Sequence, residues 1–144
     1  MTFGAGTLSV GLECRPLTDH PLTVTDFVRY QGASGDMNPI HHDSEFAARL
    51  GFTTPLAVGM LQAGVLGTYV TDWLGARNLR RFAVRFIHQM FPGDVLTYRA
   101  VIAAIREDAD ETLIDLDLSV TNADDVVHIK GTATFVAPTD STDR

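Results

Sequence analysis

Cysteine is nearly missing from this chain: its 144 residues include one, Cys14. A single thiol cannot close an internal disulfide or assemble a cysteine-based zinc cluster, so a reducing compartment is expected. The first ten residues also lack the basic and then apolar pattern of a secretory signal. These absences favour a cytoplasmic protein in which Cys14 is a small, partly buried hydrophobic residue rather than a nucleophile.

Positive charge is also scarce. The chain has 11 Lys and Arg against 18 Asp and Glu, which gives a net charge of −7 and a pI near 5.0. Because a nucleic-acid surface needs clustered excess cations, no nucleic-acid partner is expected. The most apolar segment, residues 55–74, contains Gln62, Thr68, Thr71, Asp72 and three glycines. This composition is typical of a buried helix rather than a membrane span.

The length fits one ordinary domain that can bury a core of its own. We expect a single domain over residues 1–144, with its core at about residues 8–137 and a polar, disordered tail at residues 138–144. Neither an internal repeat nor a low-complexity segment divides the chain.

The most informative stretch is SGDMNPIHHDSEFA, residues 34–47. It places the carboxylate of Asp36 and the imidazole of His41 on either side of Asn38 and Pro39. Proline lacks a backbone N–H and pushes the preceding residue toward extended geometry, so a rigid turn or loop is expected. Two side chains on such a loop can point into one small volume, where an Asp and a His can move a proton to or from water. A salt bridge that only braces the loop is the alternative.

Residue by residue, this stretch resembles the hydratase 2 signature of the MaoC-like dehydratases, a family of hot-dog-fold proteins that act on acyl thioesters. The signature consists of an aromatic residue, a small residue, Gly-Asp-x-Asn-Pro-aliphatic-His and a later small residue. It is matched by Tyr30, Ser34, Gly35, Asp36, Asn38, Pro39, Ile40, His41 and Ala47. The downstream block GMLQAGVLGTYVTDWLG, residues 59–75, is most similar to the catalytic B-type subunits of the mycobacterial hydroxyacyl-thioester dehydratases. The resemblance covers roughly residues 22–137.

Local signals divide the chain into elements. Residues 8–15 alternate loosely and predict a first strand or an extended lead-in. A short helix capped by Thr23 or Thr25 should end in the glycines of residues 32–35. A second, at residues 45–50, should be capped by Asp43 or Ser44. Four strand-like runs with short links predict an antiparallel meander, at residues 82–88, 95–105, 113–121 and 126–136.

A long helix is expected to open at Pro55 and to reach Leu74. Its apolar residues lie on all sides of the helical wheel, so the helix must be wrapped, and a curved sheet is the only wrapper that the rest of the chain can supply. Gly64 and Gly67 are explained by tight packing of this helix against the sheet. The predicted fold class is α+β, with an antiparallel sheet wrapped around a long central helix, which is the hot-dog fold that the resemblance implies.

The resemblance also implies an activity, the reversible hydration of trans-2-enoyl thioesters to (R)-3-hydroxyacyl thioesters by a water held between Asp36 and His41. Negative charge that grows on the thioester oxygen needs a hydrogen-bond donor. The backbone N–H of Gly59, near the positive end of the central helix, is the candidate. Asn38 is the other candidate for this oxyanion and substrate-binding part of the site, although it is better suited to bracing the loop or the Asp36 side chain.

Two positions depart from the family pattern. Val58 stands where the family usually has histidine, which leaves the site short of one polar contact. Gly64 stands where short-chain hydratases often have a serine that steadies the catalytic pair, although the B-type dehydratases tend to share the glycine.

No metal and no other cofactor is expected. The substrate would be carried on coenzyme A or on an acyl carrier protein. Adjacent histidines such as His41 and His42 point apart, and no His-x₃₋₅-His spacing follows them. The other histidines are expected on the surface or packed against strands, namely His20, His42, His88 and His128.

A basic cluster interrupts the otherwise acidic chain at Arg77, Arg80, Arg81 and Arg85. Its ordinary interpretation is a solvated approach to a strand. Alternatively, Arg80 and Arg81 bind the phosphates of coenzyme A or an acidic carrier protein.

Two other functions stay open. A hot-dog thioesterase would need a carboxylate on the central helix, where Asp72 is the only acidic residue and is poorly placed. A subunit of a hetero-oligomeric dehydratase that mainly binds the acyl thioester would need no chemistry of its own.

The family resemblance implies a dimer, formed with an identical chain or with another hot-dog subunit. Acyl-chain length, carrier and pathway are not determined by the sequence.

Overall fold

The structure, a computed structural model, describes residues 8–137. Its helices are α1 (Val24–Ser34), α2 (Ser44–Arg49) and α3 (Gly59–Leu74). Its strands are β1 (Leu17–Thr18), β2 (Leu79–Phe86), β3 (Thr97–Asp108), β4 (Glu111–Thr121) and β5 (Val127–Val136). All five strands form one antiparallel sheet in the order β1-β3-β4-β5-β2, and α3 packs against it. The predicted α+β class is confirmed, while the predicted disordered tail, residues 138–144, lies outside the described residues.

The two short helices begin and end where the local sequence directs them. The Thr23 side chain accepts a hydrogen bond from the Asp26 N–H, and the Asp26 carboxylate accepts one from the Thr23 N–H, a capping box that starts α1. Gly35 ends α1 with a φ of 78°, a left-handed conformation that costs glycine little. Asp43 caps α2 through two backbone N–H groups of its first turn. Both predicted helices are confirmed, with Thr23 and Asp43 as the caps.

The long helix α3 starts at Gly59, four residues later than predicted. The residues before it are extended because their N–H groups have partners in other segments. The Leu56 N–H donates to the Ile40 carbonyl at 3.0 Å, and the Ala57 N–H donates to the Met90 carbonyl at 2.8 Å. These bonds hold the approach to α3 against the loop that contains the signature.

The predicted meander is correct for three strands and wrong for the fourth. Strands β3, β4 and β5 follow one another as antiparallel neighbours, but β2 pairs with β5 rather than with β3. The connection between β2 and β3 forms hydrogen bonds with the segment before α1, so the two strands do not form a hairpin. The Leu22 N–H donates to the Asp94 carbonyl, and the Gly93 N–H donates to the Leu22 carbonyl. As a result β2 lies at an edge of the sheet.

Of the two predictions for residues 8–15, a first strand or an extended lead-in, the structure has the lead-in, with one isolated bridge from Glu13 to Val101, and β1 lies after it. Its backbone still contacts β3, through bonds from the Gly11 N–H to the Ile102 carbonyl and from the Cys14 N–H to the Ala100 carbonyl. Cys14 is buried, and this burial raises the pKa of its thiol. It therefore has the predicted character of a small core residue.

Helix α3 is covered on one side only, which corrects the expectation that it is wrapped all round. Leu66 and Val70 are fully buried, and a Cβ on Gly67 would lie 3.8 Å from the Phe82 ring of β2. A Cβ on Gly64 would meet nothing within 4 Å, so tight packing does not explain this glycine. It belongs to an exposed stripe of residues four positions apart, formed by Met60, Gly64, Thr68 and Asp72.

A second glycine, in the middle of the sheet, is required by close packing. Gly131 lies on β5 between Leu118 of β4 and Val84 of β2. A Cβ at this position would be 2.7 Å from the Ala83 carbonyl oxygen, which is backbone and cannot rotate away. The strand must shift to accept any side chain here.

We predict that Gly131→Ala lowers the free energy of unfolding by about 1–3 kcal/mol, the usual cost of overpacking. The measurement is urea denaturation followed by circular dichroism. Gly32→Ala is the matched control, because Gly32 lies in α1 with nothing within 4 Å of an added Cβ. There alanine should raise stability by up to about 1 kcal/mol. A Gly131→Ala protein as stable as the wild type would contradict the packing described.

Candidate active site

The loop after α1 brings Asp36 and His41 together. A single 3₁₀ turn, Pro39–His41, follows Asn38 and carries the imidazole back toward the carboxylate. The Asp36 Oδ2 atom lies 3.8 Å from the His41 Nε2 atom. This separation is too long for a direct hydrogen bond, and a water beside the line that joins the two atoms could contact both. The Asp36 side chain is 46% exposed and that of His41 is 13% exposed, so solvent reaches the pair from the carboxylate side.

The extended segment before α3 orients the His41 ring through a hydrogen bond on the side away from Asp36. Its Nδ1 atom lies 2.9 Å from the Leu56 carbonyl oxygen. Because a carbonyl only accepts, Nδ1 must carry a hydrogen, and in the neutral ring Nε2 then presents a lone pair toward Asp36. The Leu56 N–H in turn donates to the Ile40 carbonyl at 3.0 Å. Two hydrogen bonds therefore hold the imidazole and the backbone beside it to one segment.

Asp36 is held within its own loop. Its Oδ1 atom accepts a hydrogen bond of 3.2 Å from the Asn38 N–H, and its N–H donates to the Ser34 hydroxyl at 3.2 Å. The Asn38 side chain accepts from the Ile40 N–H at 3.1 Å, so its hydrogen bonds also stay inside the loop. One carboxylate oxygen is thereby occupied, and the other is directed to His41.

Gln31, which was not predicted from the sequence as a site residue, lies on α1 and is only 2% exposed. Its Nε2 atom donates to the carbonyls of Asp36 and Asn38 at 2.7 and 3.0 Å, and its Oε1 atom lies 2.9 Å from His42 Nδ1. One signal was available, since Gln31 follows the fully buried Phe27 by four positions and so shares its helix face. His42 was expected on the surface, and it is exposed, yet it is bonded to this buried amide.

Gly59 begins α3 beside a small cavity. The N-cap residue of α3, Val58, makes no side-chain capping bond, and the N–H groups of the first helical turn lack acceptors inside the helix. Gly59 lines a cavity of about 190 Å³ together with Leu56, whose carbonyl anchors His41, and with Phe86 and His88. A Cβ on Gly59 would lie 2.9 Å from the Phe86 ring, so the glycine also allows this ring to approach the helix start.

The open face of α3 forms one wall of a larger groove. Its volume is about 930 Å³, and its opposite wall is the segment from Cys14 to Thr18 with Tyr30 of α1. The groove begins at Leu61, passes over Gly64 and ends near Asp72. Because α3 rises 1.5 Å per residue, Asp72 lies about 20 Å along the axis from Gly59. The one acidic residue of α3 is therefore far from the Asp36–His41 pair.

Arg80 and Arg81 are not brought to this site. They lie at the start of β2, whereas Phe86, at the other end of the strand, contacts the position of Gly59. Five or six residues of strand separate the two ends by roughly 17–20 Å. Arg80 also pairs with Glu111 at 3.0 Å. Their binding of carrier phosphates stays a prediction.

Within residues 8–137, no three or more His, Cys, Asp or Glu side chains are grouped so that they could hold a metal ion. Over the same range, no helix has both the length and the apolar character needed to cross a bilayer.

Comparison with known proteins agrees with the residue pattern. The model of the MaoC like domain matches residues 9–123. The chain is 41% identical over 68 residues to 3-hydroxyacyl-thioester dehydratase Y of Mycobacterium tuberculosis, covering 44% of this chain and 23% of that protein. It is 28% identical over 108 residues to the (R)-specific enoyl-CoA hydratase of Aeromonas caviae, covering 74% and 79% of the two chains. The chain thus spans about a quarter of the length of the mycobacterial relative.

Solved structures of this fold superpose over nearly the whole chain. The (R)-hydratase of A. caviae involved in PHA biosynthesis has a TM-score of 0.81 and 25% identity, covering 93% of this chain and 100% of that one. The ChsH1–ChsH2 complex of M. tuberculosis matches in fold, with a TM-score of 0.78 and 21% identity over 90% of this chain and 98% of that one. The predicted hot-dog fold is confirmed, and this chain belongs to the MaoC-like domain family.

Proposed function

We propose that this chain catalyses the reversible hydration of trans-2-enoyl thioesters to (R)-3-hydroxyacyl thioesters. One observation carries the proposal: Asp36 Oδ2 and His41 Nε2 lie 3.8 Å apart, with the imidazole held by the Leu56 carbonyl. Kinship with proteins named as dehydratases and (R)-hydratases supports the reaction class and the stereochemistry. We place the reaction in the cytoplasm, on the argument from the single cysteine.

One water meets the needs of this pair. Nε2 of neutral His41 and a carboxylate oxygen of Asp36 are both acceptors, so they take the two O–H groups of the water and leave an oxygen lone pair for C3 of the enoyl group. As the C3–O bond forms, the π electrons of C2=C3 move toward C2 and onto the thioester oxygen. One proton of the water passes to the pair, and the pair returns a proton to C2. Water is then added across the double bond, and the protein ends unchanged.

Charge on the thioester oxygen needs a donor that is in place before the reaction. We assign this role to the Gly59 N–H, which is in the first turn of α3 and lines the cavity next to Leu56. In other enzymes the loss of one such donor costs about 3–4 kcal/mol of transition-state stabilisation. Asn38 belongs to the supporting part of the site, since its side chain is bonded inside the loop.

The acyl chain of the substrate, in this proposal, lies in the groove along α3. The groove starts at Leu61, two residues after Gly59, and its walls are mostly apolar. Gly64 leaves the floor open where any other residue would place a side chain. Gly64 lies about 7.5 Å along the helix axis from Gly59, and the groove continues beyond it.

The proposal includes a dimer that joins two hot-dog chains along their sheet edges. Strand β2 pairs on one side with β5, and within the described residues its other side has no strand partner. Eight residues of open strand edge beside the exposed Phe86 and Ile87 favour pairing with another chain. The partner is an identical chain or a different hot-dog subunit.

Coenzyme A or an acyl carrier protein carries the substrate, with Arg80 and Arg81 as candidate contacts to its phosphates or acidic surface.

We predict that Asp36→Asn lowers the hydration rate by about 10²–10⁴-fold, the usual contribution of a general acid or base. The amide keeps the shape of the carboxylate, but one of the two oxygens is replaced by an NH₂ group. It therefore cannot accept hydrogen bonds from both the Asn38 N–H and the water on separate oxygens. The assay follows the loss of enoyl absorbance of trans-2-enoyl-CoA esters, with chiral analysis of the product. Asp117→Asn, an exposed carboxylate on β4, is the control and should keep full activity.

The same assay separates the rival functions. Retained turnover in Asp36→Asn would remove this residue from the mechanism. Release of free thiol without loss of enoyl absorbance would favour a thioesterase. Absence of turnover in the wild type, with every candidate partner chain added, would leave only an acyl-binding subunit.

We predict that Gly64→Leu narrows the choice of acyl chain. The added side chain enters the groove, so kcat/KM for a dodecenoyl thioester should fall at least about 10-fold, as expected for a few misplaced methylenes. The rate with a crotonyl thioester, whose chain ends before Gly64, should stay within about two-fold and serves as the internal control. Gly64→Ala should have a smaller effect in the same direction. Equal losses for both substrates would place the acyl chain elsewhere.

We predict that the active species contains two hot-dog chains. Its mass is twice the 15.7 kDa of one chain if it is a homodimer, or 15.7 kDa plus the mass of the added subunit if it is a heterodimer. Light scattering after size exclusion measures this mass beside the activity of each fraction. A monomer that is fully active would contradict the edge-to-edge dimer.

A further inference from the structure

Gln31 is a buried polar residue with no part in the chemistry proposed above, yet it contacts the catalytic loop at three points. Its Nε2 atom lies 2.7 Å from the Asp36 carbonyl oxygen and 3.0 Å from that of Asn38. Its Oε1 atom lies 2.9 Å from His42 Nδ1. With 2% of its surface exposed, Gln31 has little access to solvent, so these partners satisfy most of its amide.

The orientation of the amide follows from the nature of its partners. Two backbone carbonyls can only accept, so the atom between them must be the NH₂ group. The Oε1 atom then points to His42, whose Nδ1 must carry a hydrogen. This donor is present in both the neutral and the protonated ring, so the arrangement does not depend on the charge of His42.

These bonds fix the backbone from Asp36 to Asn38, directly after the side chain that must face the water. Gln31 binds the carbonyls of Asp36 and Asn38, while the Asn38 N–H binds Asp36 Oδ1. The Asp36 side chain is nearly half exposed, so packing restrains it only in part. Since the His41 ring is anchored to the Leu56 carbonyl, the 3.8 Å gap is set by two anchors, of which Gln31 is one.

We propose that Gln31 is the positioning residue for Asp36, and that His42 orients Gln31 for this task. The inference rests on the proposed function and adds to it the residue that sets the width of the water site. Gln31 acts from the last turns of α1, a helix held at its start by a capping box, so the anchor belongs to rigid structure rather than to the loop.

Gln31→Met keeps the size of the side chain and removes all three hydrogen bonds. It should lower kcat by roughly 10–100-fold, because a misplacement on the order of 1 Å costs about 10²-fold, and it should leave KM within about two-fold. Gln62→Met is the matched control, since Gln62 is an equally buried glutamine, on α3. Its kcat should stay within about two-fold of the wild type. Equal kcat values for Gln31→Met and the wild type would overturn the proposal.

A double-variant cycle tells positioning from general damage to the fold. If Gln31 acts through Asp36, adding Gln31→Met to Asp36→Asn should cause little further loss of kcat. Additive losses would show that Gln31 affects activity by another route, and this would overturn the proposal.

Substitution of the exposed His42 tests the same hydrogen bonds of Gln31 without changing a buried residue. His42→Phe removes the donor to Oε1 and should lower kcat by a smaller factor, up to about 10-fold, again with KM unchanged. An unaltered kcat would reject the orienting role of His42. Failure of the proposed function looks different, because the wild type itself would then show no Asp36-dependent hydration against which these variants are compared.

Discussion

The hydrogen bond from His41 to the Leu56 carbonyl is the contact on which the arrangement of the site depends. It joins a loop from the first third of the chain to the backbone that leads into the long helix, and so it places an imidazole beside a helix start. Leu56 is also one of the residues that line the cavity beside Gly59. The proposed base for water and the proposed donor for an oxyanion are thereby attached to one short extended segment.

The rest of the fold serves to keep that segment extended. Its N–H groups are taken by Ile40 and Met90, from the loop on one side and from the crossing after β2 on the other. Those bonds delay the start of α3 until Gly59, where the first free N–H groups of the helix meet the cavity. If the helix had begun at Pro55, its positive end would lie about one turn further from this position. The irregular backbone here is thus what aligns the parts of the site.

Local chemistry was enough to predict the short helices and the signature loop. Thr23, Asp43 and Gly35 act through hydrogen bonds and dihedral angles within a few residues, so their effect is visible in the sequence. The pairing of β2 with β5 and the late start of α3 were missed because they depend on bonds to distant segments. Gly64 was assigned to tight packing because the helical wheel does not show which face the sheet leaves open.

The candidate site also contains residues that could be predicted from the sequence and residues that could not. Asp36 and His41 could be proposed from their spacing around Pro39, but the anchors that aim them could not. Gln31 looks like an ordinary polar residue of a helix until the loop folds back over it, and the Leu56 carbonyl belongs to a segment whose side chains gave no signal. A sequence does not show which backbone carbonyls will accept hydrogen bonds, so the proposed reacting groups were easier to predict than the residues that hold them.

The central claim is that one water is shared by Asp36 Oδ2 and His41 Nε2. A high-resolution crystal structure of the unliganded wild-type protein tests it most directly, by the density between those two atoms. The account predicts a single ordered water within hydrogen-bonding distance of both, with His41 Nδ1 on the Leu56 carbonyl. Side chains turned away from each other, or a direct contact that leaves no space for water, would contradict it.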